Sequence, residues 1–475
     1  MEHGSVVTAS YPPPSASAKG DTRVALDVAA FIDERPISAY QKRLIALVGC
    51  CVLMDGFDAQ VIGFVAPSLA EHWHIEASAL APLFAAGLIG MLIGAAVLGM
   101  LSDRIGRRPV LIGATFFFAL GTLATAATST LPQMMALRFL TGLGIGGVMG
   151  NAAALVSEYS PRHRRASPLM WVSCGFTGGA ILGGLIAAAV IPLAGWRWVF
   201  VIGGVLPLLI GSVMIAKLPE SLTFLISRDT SSATVRQALR RIDKMAKIDE
   251  NAGFVRPAAA PESGLFFALF GNGLAPITFL LWAVSFLNLL ALYFLASWLP
   301  LLATKMAYSG GIGIMMGTLL QVGGLIGALL LGPIMDRFGF TSILVRILLA
   351  GGIAIALVGQ FIVPDLLRFA LVFVAGVAVV GGQPALNALA ASLYPSAIRA
   401  TGVGWCLAVG RAGSICGPLV AGAMLASGSA VQTLFLAVAV APIASAVLII
   451  GLARVIARGA AASGAVSRDP EGVYP

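Results

Sequence analysis

Long apolar runs, separated by short polar segments, dominate the chain. A helix needs about 20 apolar residues to cross a bilayer, and these runs reach that length. They do not show the alternating ten-residue pattern that is typical of membrane barrels. We therefore predict twelve spanning helices, called spans one to twelve, at residues 44–70, 80–101, 109–129, 132–157, 167–194, 198–218, 275–303, 311–334, 341–363, 366–392, 400–425 and 431–455.

A polar, basic stretch divides the spans six and six. The predicted divisions are an N-terminal tail (1–43), a first half (44–218), a linker (219–274), a second half (275–456) and a C-terminal tail (457–475). The linker contains "RQALRRIDKMAKIDE", which fits a short amphipathic helix and a solvated connection equally well. The first tail contains "YPPPSASAKGD" and has no apolar core, so we expect a flexible segment and not a cleaved signal peptide.

The two halves repeat each other. "GMLSDRIGRR" follows span two and "GPIMDRFGF" follows span eight, so that Gly99 matches Gly332 and Asp103 matches Asp336. "SEYSP" after span four is echoed by "SLYP" after span ten. A duplicated six-helix half is typical of secondary transporters that bind substrate near the bilayer midplane. The pattern thus predicts an all-α membrane protein with two pseudo-symmetric six-helix halves.

Composition and charge placement agree with that prediction. Of the 475 residues 58% are hydrophobic and 11% are charged, whereas soluble proteins carry about 25% charged residues. The net charge of +9 does not indicate a nucleic-acid partner, because the basic residues lie in short loops and tails. Only Arg197, Lys305 and Arg368 fall in the loops of one side, which predicts that both termini are cytoplasmic. We expect an inner-membrane protein in contact with lipid.

Two acids interrupt span one. Asp55 and Asp58 lie near its middle at a spacing that puts both on one side of a helix. Each acid at the bilayer centre costs roughly 2.5–3.5 kcal/mol on insertion scales, so intramembrane acids are functional by default. Both would repel if ionised, and we expect the pair to share a proton beside a wet cavity. A helix cap or an ion pair that only fixes packing is the alternative.

Arg138 in span four and Arg411 in span eleven are the only cations within spans. A guanidinium donates two parallel hydrogen bonds to a carboxylate. Arg138 could pair with the aspartates, either arginine could meet an anionic substrate, or each could form a structural ion pair. Together with Asp58, these arginines and four polar residues of the second half are the candidate substrate contacts: Asp58, Arg138, Asn288, Tyr293, Gln383, Asn387 and Arg411.

Small residues and cysteines in the spans predict packing. "GLGIGGVMG" in span four lies in an apolar helix and follows no strand, so it is not a dinucleotide motif. We expect this run to pack closely, against span one. All five cysteines fall in apolar runs without C-x-x-C spacing, and we predict neither a disulfide, nor a metal site, nor a cofactor.

The loop after span two has two interpretations. Asp103, Arg104, Arg107 and Arg108 could serve only the positive-inside topology. They could also form a gate, in which Asp103 caps or pairs with a neighbouring helix N-terminus. We favour a combination of the two.

With these features the chain resembles the major facilitator superfamily. The resemblance rests on the loop and glycine motifs quoted above and on five further stretches: "DGFDAQVIGFVAPSL", "LPESLTFL", "LALYFLASWLP", "GGQPALNALAASLYP" and "RATGVGWCLAVGRAGSICGP". More narrowly, the chain resembles the aromatic acid:proton symporters, the permeases for 4-hydroxybenzoate and benzoate. The resemblance implies that Asp55 and Asp58 are the family's essential acidic pair. It also implies that Asp103, with Gly99 and Arg107, belongs to the family's gating loop, and that Arg399 and Arg411 are its basic positions. The other gating candidates come from the two copies of the loop and are Arg104, Arg108, Asp336 and Arg337, and we count Arg399 with them. Phe340 departs from the pattern, since it stands where the first copy of the loop has Arg107.

The expected function is proton-coupled import of a small aromatic carboxylate by alternating access, carried out by a monomer. Proton-driven efflux on the same fold and a transporter-like sensor of aromatic compounds are the alternatives. We find no nucleophile–base set in the sequence, and therefore we do not expect an enzyme. The ring substituents and the proton stoichiometry stay open at this stage.

Overall fold

The computed structural model describes residues 26–229, 233–243, 245–246, 253–255, 265–271, 273–395 and 397–462. Twelve of the helices in these residues are long and apolar enough to cross a membrane. The predicted all-α, twelve-span architecture is confirmed. In order, the spans are Ala39–Trp73, Ala81–Ile105, Arg107–Ala126, Leu131–Glu158, Ala166–Ala194, Trp196–Lys217, Ala275–Lys305, Gly310–Phe338, Phe340–Val358, Asp365–Leu393, Arg399–Ala426 and Val431–Ala462.

Span one begins earlier than its apolar run. Its first helical residue is Ala39, and Ser38 and Gln41 form a capping box in which each side chain accepts a hydrogen bond from the other residue's backbone N–H. Polar capping residues satisfy the free N–H groups at a helix start, so a hydrophobic run does not reveal where the helix begins. Span ten carries a π-helical segment, Gly376–Val380, between its two α-helical parts.

The two halves use the same internal packing. In the first half span two packs on span four, span one on span five, and span three on span six. In the second half the equivalent pairs are eight with ten, seven with eleven, and nine with twelve. Gly106 and Gly339 make the turns of the repeated loop with φ of +103° and +84°, a backbone region that favours glycine. The repeat seen in the sequence is therefore a structural repeat.

The halves meet most extensively through the helix pairs of spans one and seven, two and eleven, and five and eight. We call the face where span one begins the tail face and the opposite face the far face. Near the far face the rings of Phe84 and Trp298 lie 5.1 Å apart, and the Trp298 indole donates a hydrogen bond to the Pro418 carbonyl at 3.2 Å. A Cβ on Gly63 would lie 2.4 Å from the carbonyl oxygen of Ala296. Small residues thus let the two backbones touch.

The hydrophobic core shows that the molecule opens toward the tail face. One large cluster near the far face contains residues of both halves, such as Phe64 and Trp298. Near the tail face the core divides into one cluster that joins the first half to parts of the tail and linker, and another that joins the second half to the end of the linker. Because the halves share side chains at one end and not at the other, a gap between them opens at the tail face.

The glycines of span four face span two. A Cβ on Gly142 would lie 2.2 Å from the Gly87 carbonyl oxygen, and one on Gly146 would lie 2.2 Å from that of Met91. Span four also contacts span one, but less extensively than span two. The prediction of close packing is confirmed, and the predicted partner, span one, was wrong. A stripe of small residues shows that a helix approaches another one closely, but it does not identify the neighbour.

Parts of the predicted tail and linker are ordered against the first half. Helix Val28–Asp33 belongs to the first tail, and helix Ala233–Ile242 of the linker buries its apolar face in the first-half core. Arg35 donates to the Asp243 carboxylate at 3.0 Å and so ties tail to linker. Of the two interpretations of the linker, the structure shows the amphipathic helix. The predicted flexible tail is wrong for residues 26–38, and residues 1–25 and 463–475 lie outside the described residues.

Candidate functional site

Asp58 belongs to a buried ion pair. Arg138 donates from Nη1 to Asp58 Oδ2 at 3.1 Å and from Nη2 to Oδ1 at 3.2 Å, in the two-pronged geometry that a guanidinium provides. Thr122 of span three donates to Asp58 Oδ1 at 2.5 Å. The guanidinium also lies 5.4 Å from the ring centroid of Phe200. Arg138 therefore compensates the charge of Asp58, and the cluster joins spans one, three, four and six of the first half.

Asp55 differs from Asp58 in having no such partner. Both of its carboxylate oxygens are buried, and neither makes a hydrogen bond among the described residues. The two aspartates do not bond to each other, so the sequence expectation of a directly shared proton is not met in this conformation. A buried carboxylate without donors is strongly disfavoured in its charged form. Asp55 is thus the acid of this pair that is suited to carry a proton.

Arg411 of span eleven belongs to the second half, and its charge acts on Asp55 without a hydrogen bond or an ion pair between the two side chains among the described residues. Arg411 donates from Nη1 to the sulfur of Met91 at 2.8 Å, across the boundary between the halves. Tyr293 of span seven is buried. A thioether is a weak acceptor, so this half-buried guanidinium retains the capacity to bind an anion.

A small cavity lies next to the Asp58–Arg138 pair. Its lining includes both of these residues and Met91, with Phe84 and Leu88, and its volume is about 40 Å³. A water molecule needs at least about 10–15 Å³ by such a measure, so the cavity has room for a few waters. Asp55 and Arg411 are not among its lining residues. Space for water, which we expected beside both aspartates, is thus present next to Asp58.

The three amides predicted in the second half form a chain. Asn288 of span seven donates to the Gln383 carbonyl at 2.7 Å, and Gln383 of span ten donates to the Asn387 carbonyl at 3.1 Å. Asn288 also donates to the backbone carbonyl of Val379 at 3.1 Å. The remaining oxygen of Asn288 is buried and accepts no hydrogen bond among the described residues.

Glutamates, rather than Asp103, hold the loop after span two. Glu220 Oε1 accepts from the backbone N–H groups of Arg107 and Arg108 at 2.8 and 3.0 Å, and so caps the N-terminus of span three. The Arg107 side chain forms an ion pair with Glu158. Asp103 is exposed and has neither a hydrogen bond nor an ion pair within the described part of the chain. The expected cap is present, but a different acid provides it.

The other residues of this loop also bond within the first half and to the start of the linker. Ser102 donates to the Gly99 carbonyl at 2.7 Å, and Arg108 Nη2 donates to the Ile215 carbonyl at 2.6 Å. The carbonyl of Arg104 accepts from Arg228.

The equivalent loop of the second half is apolar where the first is charged. Phe340 replaces Arg107, and Leu393 stands where "SEYSP" has Glu158, and both side chains pack against the same tail-side core. Asp336 is exposed, and the Arg337 guanidinium lies 5.3 Å from the Phe338 ring. Arg399 donates to the Tyr394 carbonyl at 3.3 Å. The departure noted in the sequence at Phe340 is therefore one of two matching changes. The charged residues Arg107 and Glu158 of the first half correspond to the apolar residues Phe340 and Leu393 of the second half.

Several residues that bond to the buried charges or to the loop after span two were not among the candidates predicted from the sequence. Glu158 and Glu220 stand in quoted stretches beside the basic loop, so the charge pattern contained a signal for them. Thr122 and Met91 are single residues in apolar helices, and nothing in the sequence distinguishes them. Within the described residues, no group of three His, Cys, Asp or Glu side chains could hold a metal ion.

The fold and the site define a multi-pass membrane transporter, with two six-helix halves and ionisable groups at the gap between them. A family model described as Major Facilitator Superfamily matches residues 48–364 and 281–472. The chain belongs to this superfamily. Membership in a transporter superfamily confirms the prediction that the chain is not an enzyme.

Comparison with curated relatives shows which members of the superfamily the chain is similar to. The 4-hydroxybenzoate transporter PcaK of Pseudomonas aeruginosa is 39% identical over 409 residues, which cover 85% of this chain and 90% of that protein. PcaK of Acinetobacter baylyi is 37% identical over 438 residues, 92% of this chain and 96% of that protein. A gallate transporter of Pseudomonas putida is 36% identical over 432 residues, 90% and 94% of the two chains. The resemblance to aromatic acid permeases is confirmed.

Solved structures share the fold. The crystal structure of a D-xylose-proton symporter superposes with a TM-score of 0.68 at 18% identity and covers 86% of this chain and 97% of that chain. A bacterial homolog to the human lysosomal transporter Spinster gives a TM-score of 0.65 at 16% identity, with 92% and 100% covered. At these identities the likeness concerns the fold alone.

Proposed function

We propose that the protein imports a small aromatic carboxylate together with protons by alternating access. The observation that carries this proposal is the pair Asp55 and Arg411. Asp55 is a buried acid without hydrogen-bond donors, and Arg411 of the other half is a cation that acts on it by charge and whose described side-chain acceptor is a weak one, the sulfur of Met91. The first group is suited to bind a proton and the second to bind an anion. The names of the relatives supply the substrate class, since they transport 4-hydroxybenzoate or gallate.

In the proposed cycle, Asp55 takes up a proton and the substrate carboxylate binds to Arg411. With Asp55 neutral, the charge of Arg411 is compensated by the substrate, and the loaded centre carries no uncompensated charge. An uncompensated buried charge disfavours closure of the gap, so the loaded protein changes conformation more easily than the half-loaded one. One proton per monoanion makes transport electroneutral, and a second proton would add about 2.3 kcal/mol per 100 mV.

Asp58 and Arg138 have a different role in this proposal. Their charges compensate each other, and they join span one to span four within the first half. We assign them to positioning span one, so that Asp55 faces the gap. The sequence candidates for proton coupling thereby separate into one proton carrier, Asp55, and one supporting pair. Arg411, and not Arg138, is the proposed contact of the substrate carboxylate.

We propose that the tail face is cytoplasmic, because nearly all basic loop residues lie on that side. The described conformation is then inward-facing. The two repeated loops lie at this face and remain our candidates for gating: Gly99, Asp103, Arg104, Arg107, Arg108, Asp336, Arg337 and Arg399. In this open state the contacts described for the first loop are with the first half and with the start of the linker, which leaves its exposed Asp103 free to meet the second half on closure.

The test is uptake of labelled 4-hydroxybenzoate into vesicles of known orientation. An inside-alkaline pH gradient should drive accumulation by the unaltered protein, and unlabelled benzoate and gallate should compete. Asp55→Asn should abolish gradient-driven accumulation while retaining exchange of internal for external substrate, because exchange needs no proton release. Arg411→Gln should lower both activities strongly, since it removes the substrate contact.

Asn151→Ala is a suitable control, because this buried amide of span four bonds to the Gly147 carbonyl of its own helix. It should leave both activities intact. Full gradient-driven accumulation by Asp55→Asn would refute the proposed coupling. Release of substrate under the same gradient would instead indicate efflux, and specific binding without any flux would indicate a sensor.

A further inference from the structure

Resting on the proposed function, we infer that the amide chain Asn288–Gln383–Asn387 selects substrates by binding a hydroxyl group on the aromatic ring. The amide chain connects spans seven and ten of the second half. Its members differ in burial, since Asn288 is fully buried whereas Gln383 and Asn387 are half-buried. The half-buried members give a substrate access to an otherwise buried polar group.

The direction of the hydrogen bonds determines what the chain can bind. Asn288 donates to Gln383, which in turn donates to Asn387. The buried end of the chain therefore has an unused acceptor, the Asn288 oxygen. The accessible end has unused donors, because each amide nitrogen carries two hydrogens and those of Asn387 have no acceptor among the described residues. An unmet buried acceptor is rare in folded proteins and is destabilising unless a partner arrives.

The backbone of span ten beside the amide chain forms a π-helical turn, an irregularity that is frequent at functional sites. Val379, whose carbonyl accepts from Asn288, lies in the π-helical segment Gly376–Val380. A π-helical turn displaces backbone carbonyls from their usual partners and occurs frequently at functional sites. Asn288 thus satisfies one displaced carbonyl of span ten, and its own oxygen is the group that stays unsatisfied.

The amide chain leaves an acceptor unused at its buried end and donors unused at its accessible end, and a hydroxyl group can pair with both kinds of group. A phenolic hydroxyl donates one hydrogen bond and accepts others, so it can serve the Asn288 oxygen and an amide N–H together. A second carboxylate only accepts, and it would leave the buried oxygen unmet. An unsubstituted ring would bury the acceptor without any partner. The site therefore favours a hydroxylated ring over a dicarboxylate or a plain benzoate.

The experiment measures kcat/KM for uptake of 4-hydroxybenzoate, benzoate and terephthalate, which share the carboxylate and differ at the para position. Asn288→Leu and Gln383→Leu should lower the 4-hydroxybenzoate to benzoate ratio about tenfold or more, because a polar site rejects a ligand that cannot pair with it and loses this preference when the polar groups are removed. Asn151→Leu is the matched control and should leave the ratio at its unaltered value.

Asn387→Leu, at a half-buried position, is the second variant should Asn288→Leu fail to fold, and it should lower the same ratio. An unchanged ratio in Gln383→Leu and Asn387→Leu would overturn the inference, as would an equal loss for benzoate and 4-hydroxybenzoate. A selective loss of terephthalate would overturn it in favour of carboxylate recognition. If the unaltered protein transports none of the three acids, the proposed function itself fails, which is a distinguishable result.

Discussion

At the scale of single residues, Asp55 and Asp58 differ in their surroundings although they are one helical turn apart. Asp58 accepts from Thr122 and Arg138, whereas the oxygens of Asp55 accept no described hydrogen bond. A paired acid can stay charged in a buried site, and an unpaired one is suited to exchange a proton. This difference is the reason why we propose Asp55 as the proton carrier and Asp58 as the structural partner of Arg138.

We predict that Asp58→Asn destabilises the protein by about 3–5 kcal/mol, because it leaves the Arg138 charge buried and unpaired. The double variant Asp58→Asn with Arg138→Gln should recover part of that loss, since no isolated charge remains. Thermal unfolding of the purified protein in detergent measures both effects. Equal stability of the single and double variants would contradict the assignment of a compensating pair.

The sequence located these residues but did not assign their partners. The spacing of Asp55 and Asp58 predicted a shared side of a helix, and the type of Arg138 and Arg411 predicted carboxylate partners. Which arginine meets which acid depends on the neighbours of span one in the folded bundle. Arg138 and Arg411 are 273 residues apart in the chain, and no local pattern encodes which of them lies beside Asp58.

At the scale of helices, the loops between spans are held by caps from distant segments. Glu220, after span six, caps the start of span three by accepting from the N–H groups of Arg107 and Arg108. Its backbone carbonyl also accepts from the Tyr159 hydroxyl at the end of span four. An acid at a helix N-terminus satisfies free N–H groups and interacts favourably with the helix dipole.

We predict that Glu220→Ala lowers the free energy of unfolding by about 0.5–2 kcal/mol, the usual range for loss of an N-cap. Glu71→Ala is the control, because Glu71 is exposed near the far face and makes no described side-chain bond. Chemical denaturation followed by circular dichroism measures the difference. A loss for Glu71→Ala as large as for Glu220→Ala would show that the cap contributes nothing specific.

At the scale of the whole molecule, the described conformation depends on small residues where the halves touch. Gly63 of span one contacts the backbone of span seven, so that a Cβ there would lie 2.4 Å from the Ala296 carbonyl oxygen. A backbone atom has little freedom to move away. A side chain at this position therefore opposes closure of the far face and disfavours the conformation in which the gap opens at the tail face.

We predict that Gly63→Ala shifts the conformational equilibrium away from the tail-open state by about 1–3 kcal/mol, the usual cost of overpacking. Spin labels at Met100 and Trp405, both exposed, should then report a shorter mean distance between spans two and eleven. Gly49→Ala is the control within the same helix, because a Cβ there has no neighbour within 4 Å. A distance that Gly63→Ala leaves unchanged would contradict this account.

The sequence by itself determined the number of spans, their division into halves and the positions of the intramembrane charges. These follow from apolar length, from repeated loop residues and from the exclusion of charge from lipid, all of which are local properties. The tertiary structure alone decided that span four packs most extensively on span two, that Arg138 compensates Asp58, and that Asp55 is left without a described hydrogen-bond donor. Those outcomes depend on which helix faces meet, and in a membrane many apolar faces can meet at similar free energy until close packing and hydrogen bonds select one arrangement.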